Sequence, residues 1–348
     1  MRNFLLFFTL LFFTIDCFPQ AVLSLKERVS AIEDIQKDRL ENLLPKLMKR
    51  EKIDCWIIIT REYNEDPIIK SLLPPTWLNA RRRTILVFTL IDSSNKVDMA
   101  AITRYSFGNL IKSVWNKNKE PDQMNALVDY LKLKNPKKIG INVSKTYGIA
   151  DGLSVTDHQL LMNYLPDSIK SKIVSSEPLA VSWIETRTQK EMILFSHLTE
   201  ITHNVIKEAF STDVITPGVT TTDDVVWWMR EKVSSMGLKT WFHPTVDVQR
   251  ADDSDLYAFD AKQKFDIIQP GDLVHCDFGI TYLNLNTDCQ QLGYVLKPNE
   301  IDAPKYLKEG LKAGNLLEDI LTNNFKVGIT GNEILRISRE KAIDKGLR

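Results

Sequence analysis

From about Leu25 to Arg50 the apolar residues Leu25, Val29, Ile32, Leu40, Leu43 and Leu47 recur at helical spacing, a first amphipathic helix disturbed near Pro45. The runs "IDCWIIIT" (53–60), "RTILVFTL" (83–90) and "KKIGINV" (137–143) are short, apolar and rich in β-branched residues, which predicts strands. Strands alternating with helical stretches predict an α/β domain over residues 22–184. Across "VSWIETRTQKEMILFSHLTEITHNVIKEAF" (181–210) the period changes to that of one long amphipathic helix. A second domain is therefore placed over 185–348, two domains being what 348 residues lead one to expect.

The amino terminus breaks this pattern. Arg2 precedes an almost unbroken apolar run from Phe4 to Ile15, and a polar stretch ends near Ala21, which is the layout of a secretory signal over 1–21. The run is too short for a spanning helix, so export to the periplasm or the medium is expected rather than a stable membrane anchor; Cys17 fits a lipidation site poorly because Asp16 precedes it. Export leaves Cys55, Cys276 and Cys289, too few for a disulfide scaffold. Lys+Arg and Asp+Glu balance at 45 each, so no overall field recruits nucleic acid. Arg81, Arg82 and Arg83 form the one dense basic cluster and read as a solvated strand entrance. "GINVSKT" lacks the glycine a phosphate loop needs before its lysine; Ser144 stands there. His197 and His203 are six apart on the long helix and diverge, so they share no metal.

One pattern returns. "GVTTTDDVVWWMREKVSSMGL" (218–238) and "GITGNEILRISREKAIDKGL" (328–347) share a Gly-x-Thr opening, an acidic first turn, an Arg-Glu-Lys and a Gly-Leu stop. Helix capping alone produces such ends, so convergence and internal duplication both stand. If duplication holds, the second copy stops straight after its helix and the chain lacks the strands of its second half.

The candidate chemistry lies in "GDLVHCDFGITYLNLNTDCQQ" (271–291), a Gly-Asp turn followed by two strands carrying Asp277 and Asp288. A hairpin that sets Asp277 opposite Asp288 also sets Cys276 opposite Cys289. Facing side chains sit about 4.5–5.5 Å apart, and two carboxylates that close need a proton or a cation between them. Divalent ions such as Mn²⁺ or Mg²⁺, or Zn²⁺ or Co²⁺, meet that need. Two exposed hairpin aspartates fit the same spacing. The cysteine pair is a candidate cross-strand disulfide, or two small apolar side chains.

The stretch resembles the metal-binding hairpin of the pita-bread metallopeptidases: Asp-x10-Asp, Gly279 two residues after the first Asp, and Tyr282 three further. "ETRTQKEM" resembles the lead-in to the catalytic domain of that family. "RLENLLPKLMKREKIDCWIII" with "KKIGINV" resembles the N-terminal domain of its creatinase, prolidase and Xaa-Pro aminopeptidase branch. The resemblance implies an α+β protein, a creatinase-like α/β domain followed by an incomplete duplicated α+β catalytic domain. It implies two divalent metal ions, Mn²⁺ first and Zn²⁺ or Co²⁺ as alternatives, with Asp277 and Asp288 as ligands. It also implies a peptide substrate, cleaved near its amino terminus by a metal-bridging hydroxide, and a tendency to dimerise for which Trp227 and Trp228 are candidate contacts. His275, on the face of Asp277, is a candidate support or outer ligand; His243 is the candidate substrate contact.

Departures from the family pattern are specific. Its remaining ligands, a His and two Glu, belong to the second half of the duplication, whereas the last histidine here is His275 and Glu309, Glu318, Glu333 and Glu340 fall on predicted helices. The chain as given is therefore expected to be an inactive fragment with no general base before residue 348. Gln290 and Gln291 replace the usual Thr-Arg, Asn284 replaces the turn glycine, and no histidine lies near Phe259 and Asp260. A creatinase-like C–N hydrolase and a catalytically inactive binding module on the same fold remain as alternatives.

Overall fold

The computed structural model describes residues 22–91, 94–250 and 266–347. The expected signal at 1–21, with Cys17, and the window around Phe259 and Asp260 lie outside the described residues. Two compact units are present, one ending at Ile201 and taking in Thr281–Thr287, the other comprising Thr202–Ile280 and Asp288–Arg348.

The first unit opens with α1 (Leu25–Asp38) and α2 (Leu44–Arg50), joined by a π-helical stretch, Arg39–Leu43. Pro45 has no N–H and its ring crowds the preceding turn, and the widened turn just before it keeps the helix running. Then follow β1 (Cys55–Arg61), α3 (Pro67–Leu72), β2 (Arg83–Ile91), β3 (Lys96–Ala101), β4 (Lys112–Ser113), α4 (Gln123–Lys134), β5 (Ile139–Ile141), α5 (Val155–Tyr164), α6 (Asp167–Lys170), β6 (Ile173–Ser175) and α7 (Glu177–Glu185). The strands form one mixed sheet in the order β4-β3-β2-β1-β5-β6. Both of its faces are covered. Trp56, Ile58, Leu86 and Phe88 pack with residues of α2, α3 and α7, while Ile57, Ile59, Ile85 and Val87 pack with residues of α4 and α5. Burial on two faces is why β1 and β2 are apolar throughout instead of alternating.

The expected single helix over 181–210 is two: α7 ends at Glu185 and α8 spans Gln189–Ala209. Thr186 turns extended, and the break is fixed by Arg39, whose guanidinium donates to the Thr186 and Trp183 carbonyls and pairs with Glu191 at 2.7 Å while lying over the Trp183 ring. Glu191 in turn accepts from the Thr188 N–H at 2.7 Å. Both charges are buried, so removing either partner strands the other, at a cost of about 3–5 kcal/mol.

In the second unit α9 (Thr222–Ser235) packs on β7 (Lys239–Thr240) and β8 (Thr245–Gln249). After these come β9 (Leu273–Phe278), β10 (Ile280–Tyr282), β11 (Leu285–Asn286), β12 (Cys289–Tyr294), α10 (Lys305–Thr322) and α11 (Gly331–Asp344). The two sequence repeats fold alike. Thr221 and Thr330 each cap their helix in a reciprocal capping box, with Asp224 and Glu333 respectively. At the other end Gly237 and Gly346 take positive φ, and Leu238 and Leu347 donate back to the carbonyls of Val233 and Ala342. Burial differs: α9 buries Val225, Val226, Met229 and Val233, but α11 buries only Ser338 and Ala342, and α10 buries nothing. Among the described residues, no helix is long and apolar enough to cross a membrane.

Candidate metal centre

Strands β8, β9 and β12 form an antiparallel sheet with β9 in the middle. Val246, Val248, Val274, Cys276 and Phe278 alternate onto one buried face. The opposite face carries Thr245 and Asp247 from β8, His275 and Asp277 from β9, and Gln290 from β12. Asp277 lies between Thr245 on one side and Gln290 on the other.

This register corrects the sequence expectation. Asp277 does not oppose Asp288 directly; it opposes Gln290, and Phe278 opposes Cys289. The cause is the turn. Leu283 and Asn284 both take positive φ, 51° and 64°, and close a two-residue loop between Tyr282 and Leu285. Asn284 thus does tolerate the position of the usual glycine. A turn centred there shifts the pairing by two, which leaves Asp288 diagonal to Asp277 on the same face, still within reach of its side chain.

The same shift removes the expected disulfide. Cys276 opposes Gln291, and Cys276 and Cys289 are free thiols on diagonal positions, where Cα separations of roughly 7–8 Å are too long to bridge. Burial pushes the Cys276 thiol up to about 12 and raises that of Cys289, so neither is a ready nucleophile.

Electrostatics single out Asp277. Its Oδ1 is buried and has no hydrogen-bond partner, and its Oδ2 accepts only a long 3.4 Å contact from Gln290 Nε2. Burial first, and then the charge of Asp288 and a carboxyl–carboxyl contact, hold Asp277 above the usual carboxylate range. An unpartnered buried carboxylate oxygen is costly, and a second negative group beside it adds to the cost. A divalent cation between the two relieves both terms, so these residues fit the metal that the spacing implies. Among the described residues no group of three or more His, Cys, Asp or Glu is arranged to hold a metal ion, so Asp277 and Asp288 stand as a pair.

His275 is fully engaged. Its Nδ1 lies 3.1 Å from Asp247 Oδ2 and its Nε2 3.1 Å from Gln290 Oε1. The contact with Asp247 raises its pKa against the opposing effect of burial. The imidazole therefore braces Gln290, which in turn touches Asp277, in keeping with a supporting role. His243 sits just before β8, exposed, with its ring edge-on to Trp227 at 5.5 Å and its Nδ1 3.3 Å from Arg230. The structure brings its ring against helix α9.

Three residues escaped the sequence reading. Asp247 joins the site through strand pairing with His275, twenty-eight positions away. Gln290, noted only as a departure, links His275 to Asp277. Arg250 clamps Asp272 through two 2.7 Å bonds, Nε to Oδ1 and Nη2 to Oδ2, and donates to the Ile267 carbonyl. Burial raises the Asp272 pKa, but Arg250 and the Gln269 N–H outweigh it and leave the group low. The Gly-Asp turn is thus an anchor for the start of β9, not part of the metal pair.

Residues 194–348 match the model of metallopeptidase family M24. This stretch is therefore similar to the catalytic domain of that family. Solved structures similar to the chain include the X-Pro aminopeptidase of Thermotoga maritima, at 15% identity and a TM-score of 0.60, covering 86% of this chain and 78% of that one. The Xaa-Pro dipeptidase of Bacillus anthracis is similar at 15% identity and a TM-score of 0.57, covering 93% and 78%. The N-terminal domain of FACT complex subunit SPT16 from Eremothecium gossypii is similar at 14% and 0.54, covering 92% and 77%. Comparison with curated proteins gives no match. At these identities the structural likeness establishes the fold: an N-terminal α/β unit followed by an M24 pita-bread-like domain. Glu309, Glu318, Glu333 and Glu340 are surface helix residues within that domain, Glu333 in its helix cap, Glu340 paired with Arg336 and Glu309 with Lys305.

Proposed function

We propose that this protein is an exported metal-dependent aminopeptidase of family M24 and of the Xaa-Pro type, acting near the amino terminus of peptides, with two divalent cations and Mn²⁺ the first choice. The observation that carries the reading is the pairing of Asp277 and Asp288 on one sheet face, with Asp277 Oδ1 buried and lacking any donor. The likeness to an X-Pro aminopeptidase and an Xaa-Pro dipeptidase supports the substrate class.

A cation held by these carboxylates would supply Lewis acidity toward a scissile carbonyl and would acidify water at neutral pH. The chain's own residues do the positioning. Gln290 holds one oxygen of Asp277 and leaves the other free, while His275, fixed by Asp247, stops Gln290 from rotating away. Arg250 and Asp272 fix where β9 begins.

The test is mass spectrometry of an Xaa-Pro-Xaa peptide incubated with the product of the whole gene and Mn²⁺. Release of the first residue, abolished by Asp277→Asn, is the expected result. No cleavage with Mn²⁺, Zn²⁺ or Co²⁺ by a protein that binds those ions would instead support a non-catalytic binding module. That second reading has its own observation: Gln290 occupies part of the coordination space of Asp277. Export is checked by sequencing the amino terminus of the mature protein, which is expected to begin near residue 22.

A further inference from the structure

In the first unit, away from the aspartates, Arg81, Arg82, Arg83 and Arg104 line an open recess of about 400 Å³ together with Thr103, Tyr105, Trp115 and Gln123. The volume is that of a small-molecule site. The sequence offers three of these arginines as a run; the turn after β3 adds Arg104 and Tyr105, and Trp115 follows β4.

Charge bookkeeping at the recess does not close. Asp157 takes Arg61 at 2.7 Å and Arg83 at 3.2 Å, the latter close but poorly angled. Arg81, Arg82 and Arg104 have no carboxylate partner among the described residues. Glu62 lies alongside, but its Oε2 accepts from the Arg82 backbone N–H at 3.2 Å. Arg81 is stacked instead, its guanidinium 4.3 Å from the Trp77 ring centroid and 5.5 Å from that of Tyr105. Stacking uses the face of a guanidinium and leaves its edge N–H groups open.

The frame is rigid. Thr103 Oγ1 donates to the Tyr105 carbonyl and Ser113 Oγ to the Thr103 carbonyl, each at 2.5 Å, which pins the turn that presents Arg104. Trp115 Nε1 donates to the Glu120 carbonyl at 2.7 Å, and Gln123 Nε2 to the carbonyls of Arg83 and Ile102. Arg82 is held at a φ of 51°, a conformation uncommon for a residue with a side chain.

We propose that this recess binds a soluble organic phosphate. Three uncompensated guanidinium forks suit a doubly charged group with three or four acceptor oxygens better than a single carboxylate, and Tyr105 and Trp115 offer contact to an attached organic body. The concave shape argues for a small molecule over a flat anionic surface.

The test is calorimetric titration of the full chain with inorganic phosphate and with phenyl phosphate. Saturable binding is expected, weakening as salt is raised. Arg82→Gln combined with Arg104→Gln changes two exposed side chains, so an unchanged melting temperature is expected beside an affinity at least about tenfold lower. Phenyl phosphate is expected to bind more tightly than inorganic phosphate, and equal affinity would reject the aromatic wall. Absence of saturable heat, identical heats for native protein and double variant, or cosedimentation with phosphatidic acid vesicles without any response to soluble phosphates would each overturn the proposal.

Discussion

Asp66 and Asp277 are both carboxylates drawn in from water, and the protein treats them in opposite ways. Asp66, fully buried in the first unit, has each oxygen satisfied: Oδ1 caps the Ile68 N–H at 2.8 Å and Oδ2 accepts from Asn142 Nδ2 at 2.8 Å. Asn142 is itself held by Trp56 Nε1 and Ser176 Oγ, and Gly152 is required beside it because a Cβ there would lie 2.3 Å from the Asp66 carboxyl. Asp277, half-buried in the second unit, has one oxygen without a donor and a negative neighbour in Asp288. A complete hydrogen-bond set marks a structural acid; an incomplete one beside a like charge marks a place for a cation.

The largest effect that sharpens this contrast is a pH dependence. Burial pushes the Asp66 carboxyl up to about 6, against hydrogen bonds from Asn142 and Ile68 that favour the ionised form. The folded value lies above the unfolded one, so the contribution is fully present below about pH 4 and is lost as pH rises through about 6, a change of about 3 kcal/mol. Urea unfolding of the first unit at several pH values is expected to show that slope, and Asp66→Asn to flatten it. An identical slope in the variant breaks the assignment.

Next in size is metal affinity. Asp277→Asn is expected to weaken Mn²⁺ binding at least about 100-fold, more than losing an outer neighbour does, while Asp66→Asn leaves it unchanged. Titration followed by the paramagnetic resonance of free Mn²⁺ measures both. Comparable losses in the two variants would erase the distinction. Smaller again is Gln290→Ala, which frees Asp277 Oδ2 and the His275 ring and is expected to change Mn²⁺ affinity about tenfold, with a shift in the His275 ring signals by nuclear magnetic resonance. An unchanged ring signal would mean that Gln290 braces nothing.

Legibility in the sequence followed the reach of each signal. β1, β2 and β5 were visible because strands buried on both faces are apolar along their whole length. β3, β4 and β6 were not: "KVDMAA" mixes charge with small residues, and the other two are only two and three residues long. The capping boxes at Thr221 and Thr330 were readable, since each is settled within four residues. The break before α8 was not, because it depends on Arg39, reached across 152 positions from Glu191. Asp247 and the phosphate recess were hidden for the same reason.

The sequence by itself determined that Asp277 and Asp288 share a sheet face, because moving a hairpin register by two leaves every side chain on its own side. Only the tertiary structure decided which residues face each other. The positive φ angles of Leu283 and Asn284 set the turn, and the turn put Gln290 across from Asp277 and left Cys276 and Cys289 diagonal. Alternation along a strand is a local property of the chain; the partner across the sheet is chosen by backbone geometry at the turn and by packing of the strand that arrives from elsewhere.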